Sequence, residues 1–170
     1  TAVLDGTNTT NWAINNSNST SKKSYMEFAH FTIQNYKSSG TQSSGGIKIL
    51  DDSTITVSNI HIHDIHFKSV NQAQNDNNDF VIYMERGTIA DIYIRNNDFE
   101  DTGRVLGDEI KLGSGTSENI FFIQNSIKIL GPTSSNIYAF QFGGIVDKVR
   151  VENNIIDMNI VSFTCSISCG

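Results

Sequence analysis

Asp79, Glu85, Asp108 and Glu109 stand in or beside short segments where apolar and polar residues alternate, and so do Lys48, Tyr83, Lys111 and Gln141. Two carboxylates in one groove, one acting as acid and one as base, are what glycosidic bond cleavage needs. A tyrosine ring covers the apolar face of a sugar, and planar amides bond its hydroxyls. Four segments align as copies of one strand: Gly45–Ile49, Phe80–Met84, Asp108–Leu112 and Tyr138–Phe142. Side chains alternate across a strand. With Ile47, Ile49, Ile82, Met84, Ile110, Leu112, Phe140 and Phe142 inward, Lys48, Tyr83, Lys111 and Gln141 form an outward ladder. Glu85 and Glu109 share that outward face, and Asp108 is nominally inward at the strand entry. In this alignment Asp79 lies beside Gly107, one coil and two residues from Glu109. That is roughly 8 Å between backbones, within the range of about 6.5–9.5 Å for inverting glycosidases. Asp79, Asp108 and Glu109 are therefore the catalytic candidates. Lys48, Tyr83, Glu85, Lys111 and Gln141 are the substrate-binding candidates. The plainer alternative is a row of solvated strand-entry charges.

The elements that position these residues come from a repeat. Ala90–Phe99 recurs at Asn59–Phe67, Glu118–Ile127 and Asp147–Ile156, and faintly at Tyr25–Ile33. The anchors Met26, Ile60, Ile92, Ile120 and Val149 are spaced by 34, 32, 28 and 29 residues. Strand-bearing units at such a period mark a solenoid. Each copy has about five alternating positions, the signature of a half-buried strand. Asn97, Asn125 and Asn154 share one offset at the following bend. Asn tolerates the left-handed backbone of a sharp bend. Stacked coils would set these three amides in a column, each donating to one neighbour and accepting from the other. A third, weaker strand is expected near Val105–Leu106 and Ile127–Leu130.

Three short strands per coil without a helical period describe an all-β, right-handed parallel β-helix of about five coils. Its repeats, over roughly residues 25–160, resemble the pectin-lyase-like superfamily, which includes pectate lyases, polygalacturonases and phage tailspikes. Gly107-Asp-Glu-Ile-Lys-Leu112 resembles the Gly-Asp-Asp-x-Ile segment of polygalacturonase-type hydrolases. The Gly-His-Gly expected on the next coil is replaced by Phe140-Gln-Phe-Gly-Gly144, and the Arg-Ile-Lys element is missing. A lyase of this kind would give carboxylates to a calcium ion and make Lys111, Lys48 or Arg86 the base. No other cofactor is implied. The resemblance further implies a glycan depolymerase or a glycan-gripping spike module, a homotrimeric assembly, and a virion-surface or extracellular location.

His61-Ile-His63-Asp-Ile-His66 offers imidazoles, which can bind zinc. Neighbouring coils put Glu27 and Tyr93 beside His61, and Ala29 and Arg95 beside His63. A cationic arginine there disfavours a metal, so none is assigned. The outward column Glu27, His61, Tyr93, Phe121, Arg150 reads instead as an amphipathic contact face. With Phe121 and Ile123 outward, another subunit or domain is expected to cover it.

The net charge of −6 disfavours nucleic acid and anionic membranes. No apolar run reaches the roughly 18 residues of a membrane span. Residues 1–24, rich in Asn, Ser and Thr, read as a lead-in or cap, and 25–170 as the β-helix domain. The chain starts at Thr1 and stops at Gly170 within an apolar pattern, as expected of one piece of a larger protein. Cys165 and Cys169, about 13 Å apart in an extended strand, are too far apart for a disulfide.

Overall fold

The computed structural model describes residues 1–9, 12–16, 24–36, 45–49, 56–71, 80–85, 87–102, 104–109, 115–129, 140–143 and 145–158. Every regular element among them is a strand. In chain order they are β1 (Ala2–Thr9), β2 (Trp12–Asn16), β3 (Met26–Ala29), β4 (Phe31–Tyr36), β5 (Gly45–Ile49), β6 (Thr56–His63), β7 (His66–Lys68) and β8 (Phe80–Glu85). There follow β9 (Gly87–Arg95), β10 (Asp98–Glu100), β11 (Arg104–Glu109), β12 (Gly115–Ile123), β13 (Ser126–Ile129), β14 (Phe140–Gly143), β15 (Ile145–Glu152) and β16 (Ile155–Met158).

They form three parallel sheets. The first runs β1-β4-β7-β10-β13-β16, the second β14-β11-β8-β5-β2 and the third β15-β12-β9-β6-β3. Every third strand joins the same sheet, so the chain winds as a parallel β-helix. The first two strands, β1 and β2, each extend one sheet by a strand.

The core is a set of columns. Ile60, Ile92, Ile120 and Val149 are paired coil to coil as the repeat predicts. The three isoleucines are fully buried, and Val149 packs against them at the edge of the core. Ile62, Ile94, Phe122 and Val151 form the next column of the third sheet. In the first sheet Ile33, Phe67, Phe99, Ile127 and Ile156 line up. Each buried Ile or Phe side chain contributes about 1.5–3 kcal/mol relative to exposure. Toward the last coil the burial tapers: Val151 and Ile155 are exposed, because among the described residues no further strand stacks on β15 and β16.

The corners use left-handed backbone at fixed offsets. One set is Tyr25, Asn59, Asp91, Asn119 and Lys148; the last four bend the long strands of the third sheet near their middles, and Tyr25 directly precedes β3. A second is His30, Asp64, Asn96, Gln124 and Asn153, between the third and first sheets. A third includes Asn35, Ser69 and Asp101. Asn and Asp are several-fold enriched in this region because their short polar side chains bond locally. The second set corrects the sequence reading of the bend. The left-handed residue is the one before each column asparagine, and Asn97, Asn125 and Asn154 turn inward from it.

That column forms as predicted. Asn97 Nδ2 donates to Asn125 Oδ1 (3.0 Å), and Asn125 Nδ2 to Asn154 Oδ1 (3.1 Å). Each Nδ2 also reaches back a coil: Asn97 to Ile62 O, Asn125 to Ile94 O and Asn154 to Phe122 O, at 2.9–3.0 Å. The ladder lies inside the core, where a stranded amide would be costly.

A second polar clamp ties β1 to β4. Asp5 accepts from Gln34 Nε2 (2.6 Å), from the Thr7 N–H (2.8 Å) and from Asn35 Nδ2 (3.2 Å). The Gln34 bond, then Thr7, then Asn35 hold the Asp5 carboxyl below its ordinary value, against a small opposing effect of burial. A depressed folded pKa means the clamp is intact above the unfolded value of about 3.9 and is lost as pH falls through the folded one. Amide exchange in β1 should therefore accelerate selectively below about pH 4, while β6 and β9 stay protected. Equal protection of β1 at pH 3 and pH 7, after correction for intrinsic rates, would contradict this.

Candidate functional site

The second sheet carries the candidates named from sequence, with one change of register. The strand of its fourth coil is β11, Arg104–Glu109, four residues earlier than the expected Asp108–Leu112. Leu106 pairs with Ile82, Gly107 with Tyr83, Asp108 with Met84 and Glu109 with Glu85. On the far side Gly107 pairs with Gln141, Asp108 with Phe142 and Glu109 with Gly143. Gly107, not Lys111, therefore stands between Tyr83 and Gln141. The register that set Asp79 beside Gly107, and hence about 8 Å from Glu109, does not hold, because Tyr83 occupies that place. Val105–Leu106 belongs to the second sheet, and the strand of the first sheet in that coil is β10.

Of the remaining candidates, Lys48 pairs with Tyr83 as expected. Both are buried, at 8% and 1% exposure. The Tyr83 ring stacks on Phe80 (5.6 Å between centroids) and on Trp12 (5.9 Å), and Lys48 Nζ lies 5.9 Å from the Tyr83 centroid. Asp108 occupies the register line of Met84, a core residue. Glu85 and Glu109 occupy adjacent places on the opposite line, two residues beyond Tyr83 and Gly107. Asp79, Arg86, Lys111, Cys165 and Cys169 lie outside the described residues.

Trp12 lies in the stretch 1–24 that reads as a lead-in or cap. Its ring lies over Gly45, where a Cβ would come within 2.6 Å of it and 2.1 Å of the Phe80 carbonyl oxygen. The absence of a side chain at 45 thus lets the indole reach Tyr83. A glycine at a strand start was the available signal.

The outer face of the third sheet matches the expected column. Glu27, His61, Tyr93, Phe121 and Arg150 are in register, as are Ala29, His63, Arg95, Ile123 and Glu152. His61 stacks on Tyr93 at 4.7 Å, and Tyr93 on Phe121 at 4.8 Å with planes 4° apart. In-register parallel strands impose this spacing. The rings cover one another's faces and offer mainly their edges, and Phe121 and Ile123 are half-buried.

The histidines form contacts that sequence reasoning missed. His63 is buried at 7% exposure. Its Nδ1 donates to Asp64 Oδ2 and its Nε2 to Glu27 Oε1, both at 2.7 Å. The Asp64 bond first, then the Glu27 bond, raise the His63 pKa above its ordinary value against the effect of burial. The same bonds hold Glu27 and Asp64 below theirs. Glu27 is directly opposite His61, yet it reaches diagonally to His63. His30 packs edge-on against His63, with ring centroids 5.6 Å apart. On the outer face of the first sheet, His66 Nε2 bonds Glu100 Oε2 (2.9 Å) and lies 3.6 Å from Asp98 Oδ2. Lys68 Nζ is 3.6 Å from Glu100 Oε1.

Compared with known protein families, with curated proteins and with solved structures, the chain finds no match. Among the described residues no helix is long and apolar enough to cross a membrane.

Proposed function

We propose that this parallel β-helix binds and cleaves a surface polysaccharide, in the manner of the pectin-lyase-like and tailspike proteins its repeats resemble. The observation that carries the reading is the pairing of Glu85 with Glu109 across adjacent coils. Paired positions start one inter-strand step apart, about 4.8 Å. That suits the roughly 5–5.5 Å between the carboxyls of retaining glycosidases better than the wider inverting gap. One carboxyl would then act as acid/base and the other as nucleophile. Gln141 stands on the flanking line next to Gly107, and Gly143 beside Glu109 adds no side chain to crowd the pair. The same reading gives the protein an extracellular or virion-surface location and a homotrimeric assembly burying the Phe121 face.

Glu109→Gln keeps shape and removes charge. It should lower reducing-end release from a cleaved bacterial surface polysaccharide by about 10³-fold or more, as expected when one of two essential groups is lost. Binding of the same glycan should be nearly unchanged. Products of the wild type should keep the anomeric configuration. Undiminished turnover in the variant removes Glu109 from the mechanism, and an unsaturated product moves the chemistry to a lyase.

A receptor-binding or structural β-helix is the second reading. The burial of Lys48 and Tyr83 favours it, since these residues present little surface to a sugar. A wild type that binds glycans and never cleaves them would establish it.

A further inference from the structure

We propose that His30, His63 and Asp64 form a binding site for a divalent transition-metal ion of the zinc type. One ligand atom from each residue lies within 4.8 Å of the other two, close enough for small side-chain rotations to close around an ion. The donor set is two imidazoles and a carboxylate, a combination that suits zinc and leaves a fourth position open.

The fold preorganises the site. His30 and Asp64 occupy the same left-handed corner on adjacent coils, with φ of 64° and 52°. The His30 N–H donates to the Asp64 carbonyl at 3.2 Å, which fixes the two backbones against each other. His63 is buried and its ring is held by Glu27 through Nε2. That leaves Nδ1 aimed at the Asp64 carboxylate, 2.7 Å away. An ion entering between them takes the place of the Nδ1 proton, which passes to solvent. The Nε2–H bond to Glu27 then becomes the carboxylate–histidine–metal arrangement that orients many metal-bound imidazoles. His30 and Asp64 are exposed, so the ion has a path in.

Two neighbours bear on the choice. Arg95 pairs with His63 across the coils, but its charge acts on Asp64 and Glu27 more weakly than the histidines do. The other cluster of this kind among the described residues, His66 with Asp98 and Glu100, has a single imidazole. There the Lys68 ammonium, 3.6 Å from Glu100, competes for the carboxylate.

The test is titration of the full chain with Zn²⁺ and with Co²⁺, followed by calorimetry and by the visible spectrum of cobalt. It needs no assay of glycan cleavage, so it stands or falls separately from the function proposed above. The wild type should bind one ion with a low-coordinate cobalt spectrum. His30→Asn and Asp64→Asn keep a residue that favours the left-handed corner, so both should fold; His30→Asn should melt like the wild type, and Asp64→Asn, which loses the charge facing His63, somewhat lower. Each should weaken binding about 100-fold or more, and Glu27→Gln about 10-fold, as expected for a residue that orients a ligand. His66→Ala should bind like the wild type. Absence of saturable binding by the wild type overturns the proposal. So does unchanged affinity in His30→Asn, or loss of the site in His66→Ala.

Discussion

Replacing Phe99 with Ala should destabilise the protein by about 3–5 kcal/mol, the range for truncating a fully buried aromatic residue. Phe99 has no exposed surface. Its ring stacks on Phe67 at 4.8 Å with planes 3° apart, and lies 6.0 Å from Phe122. The three rings come from consecutive coils and two sheets, so truncating Phe99 removes the link between the other two. A parallel β-helix collapses poorly around such a void, because each coil is held to its neighbours by backbone ladders on three sides. For a chain of this size the loss corresponds to a fall in melting temperature of roughly 6–20 °C. Phe99→Leu leaves a smaller cavity and should cost visibly less. Chemical denaturation would check both, and a loss under about 1 kcal/mol for Phe99→Ala, below even the area contribution of a buried ring, would contradict this packing.

Asn125→Ala should cost about 3 kcal/mol. Asn125 is 2% exposed. Its Oδ1 accepts from the Asn97 backbone N–H and from Asn97 Nδ2, both at 3.0 Å. Its Nδ2 donates to Asn154 Oδ1 and to the carbonyls of Ile94 and Ile123. Alanine strands partners on both neighbouring coils. Each buried group left unsatisfied costs about 1–3 kcal/mol, moderated where water reaches the half-buried Asn154 side. Asn125→Asp should also destabilise, since a carboxylate cannot donate to Asn154 or to the carbonyls. Urea titration of the two variants beside Asn154→Ala would measure this. An effect at Asn125 no larger than at Asn154 would show that the ladder does not depend on its central member.

The corners and the ladder show what a single chain can reveal. The offsets of Ile60, Ile92, Ile120 and Val149, and of Asn97, Asn125 and Asn154, were legible because each coil repeats one pattern. Parallel stacking turns equal offsets into contacts. Alternation fixed the inward and outward parity of the second sheet as well. Its lengthwise register was not legible. In the stretch 104–112, Leu106, Ile110 and Leu112 all satisfy the same period of two. A slip of four residues preserves parity, so the hydrophobic pattern cannot choose between positions. Pairing of β11 with β8 and β14 makes the choice. It ends the register that set Asp79 near Glu109 and pairs Glu85 with Glu109.

The histidine site depends on the same distinction. The sequence placed His61 opposite Glu27 and Arg95 beside His63, and these pairings are present. The diagonal bond from Glu27 to His63, and the approach of Asp64 and His30 to that imidazole, follow from side-chain paths that the repeat does not encode. Sequence alone determined the solenoid, its core columns and its amide ladder, because these follow from repetition and burial. Tertiary structure alone decided which acidic positions pair across neighbouring coils and which imidazoles converge. Those contacts depend on the lengthwise register of neighbouring coils and on the path of side chains at the bends.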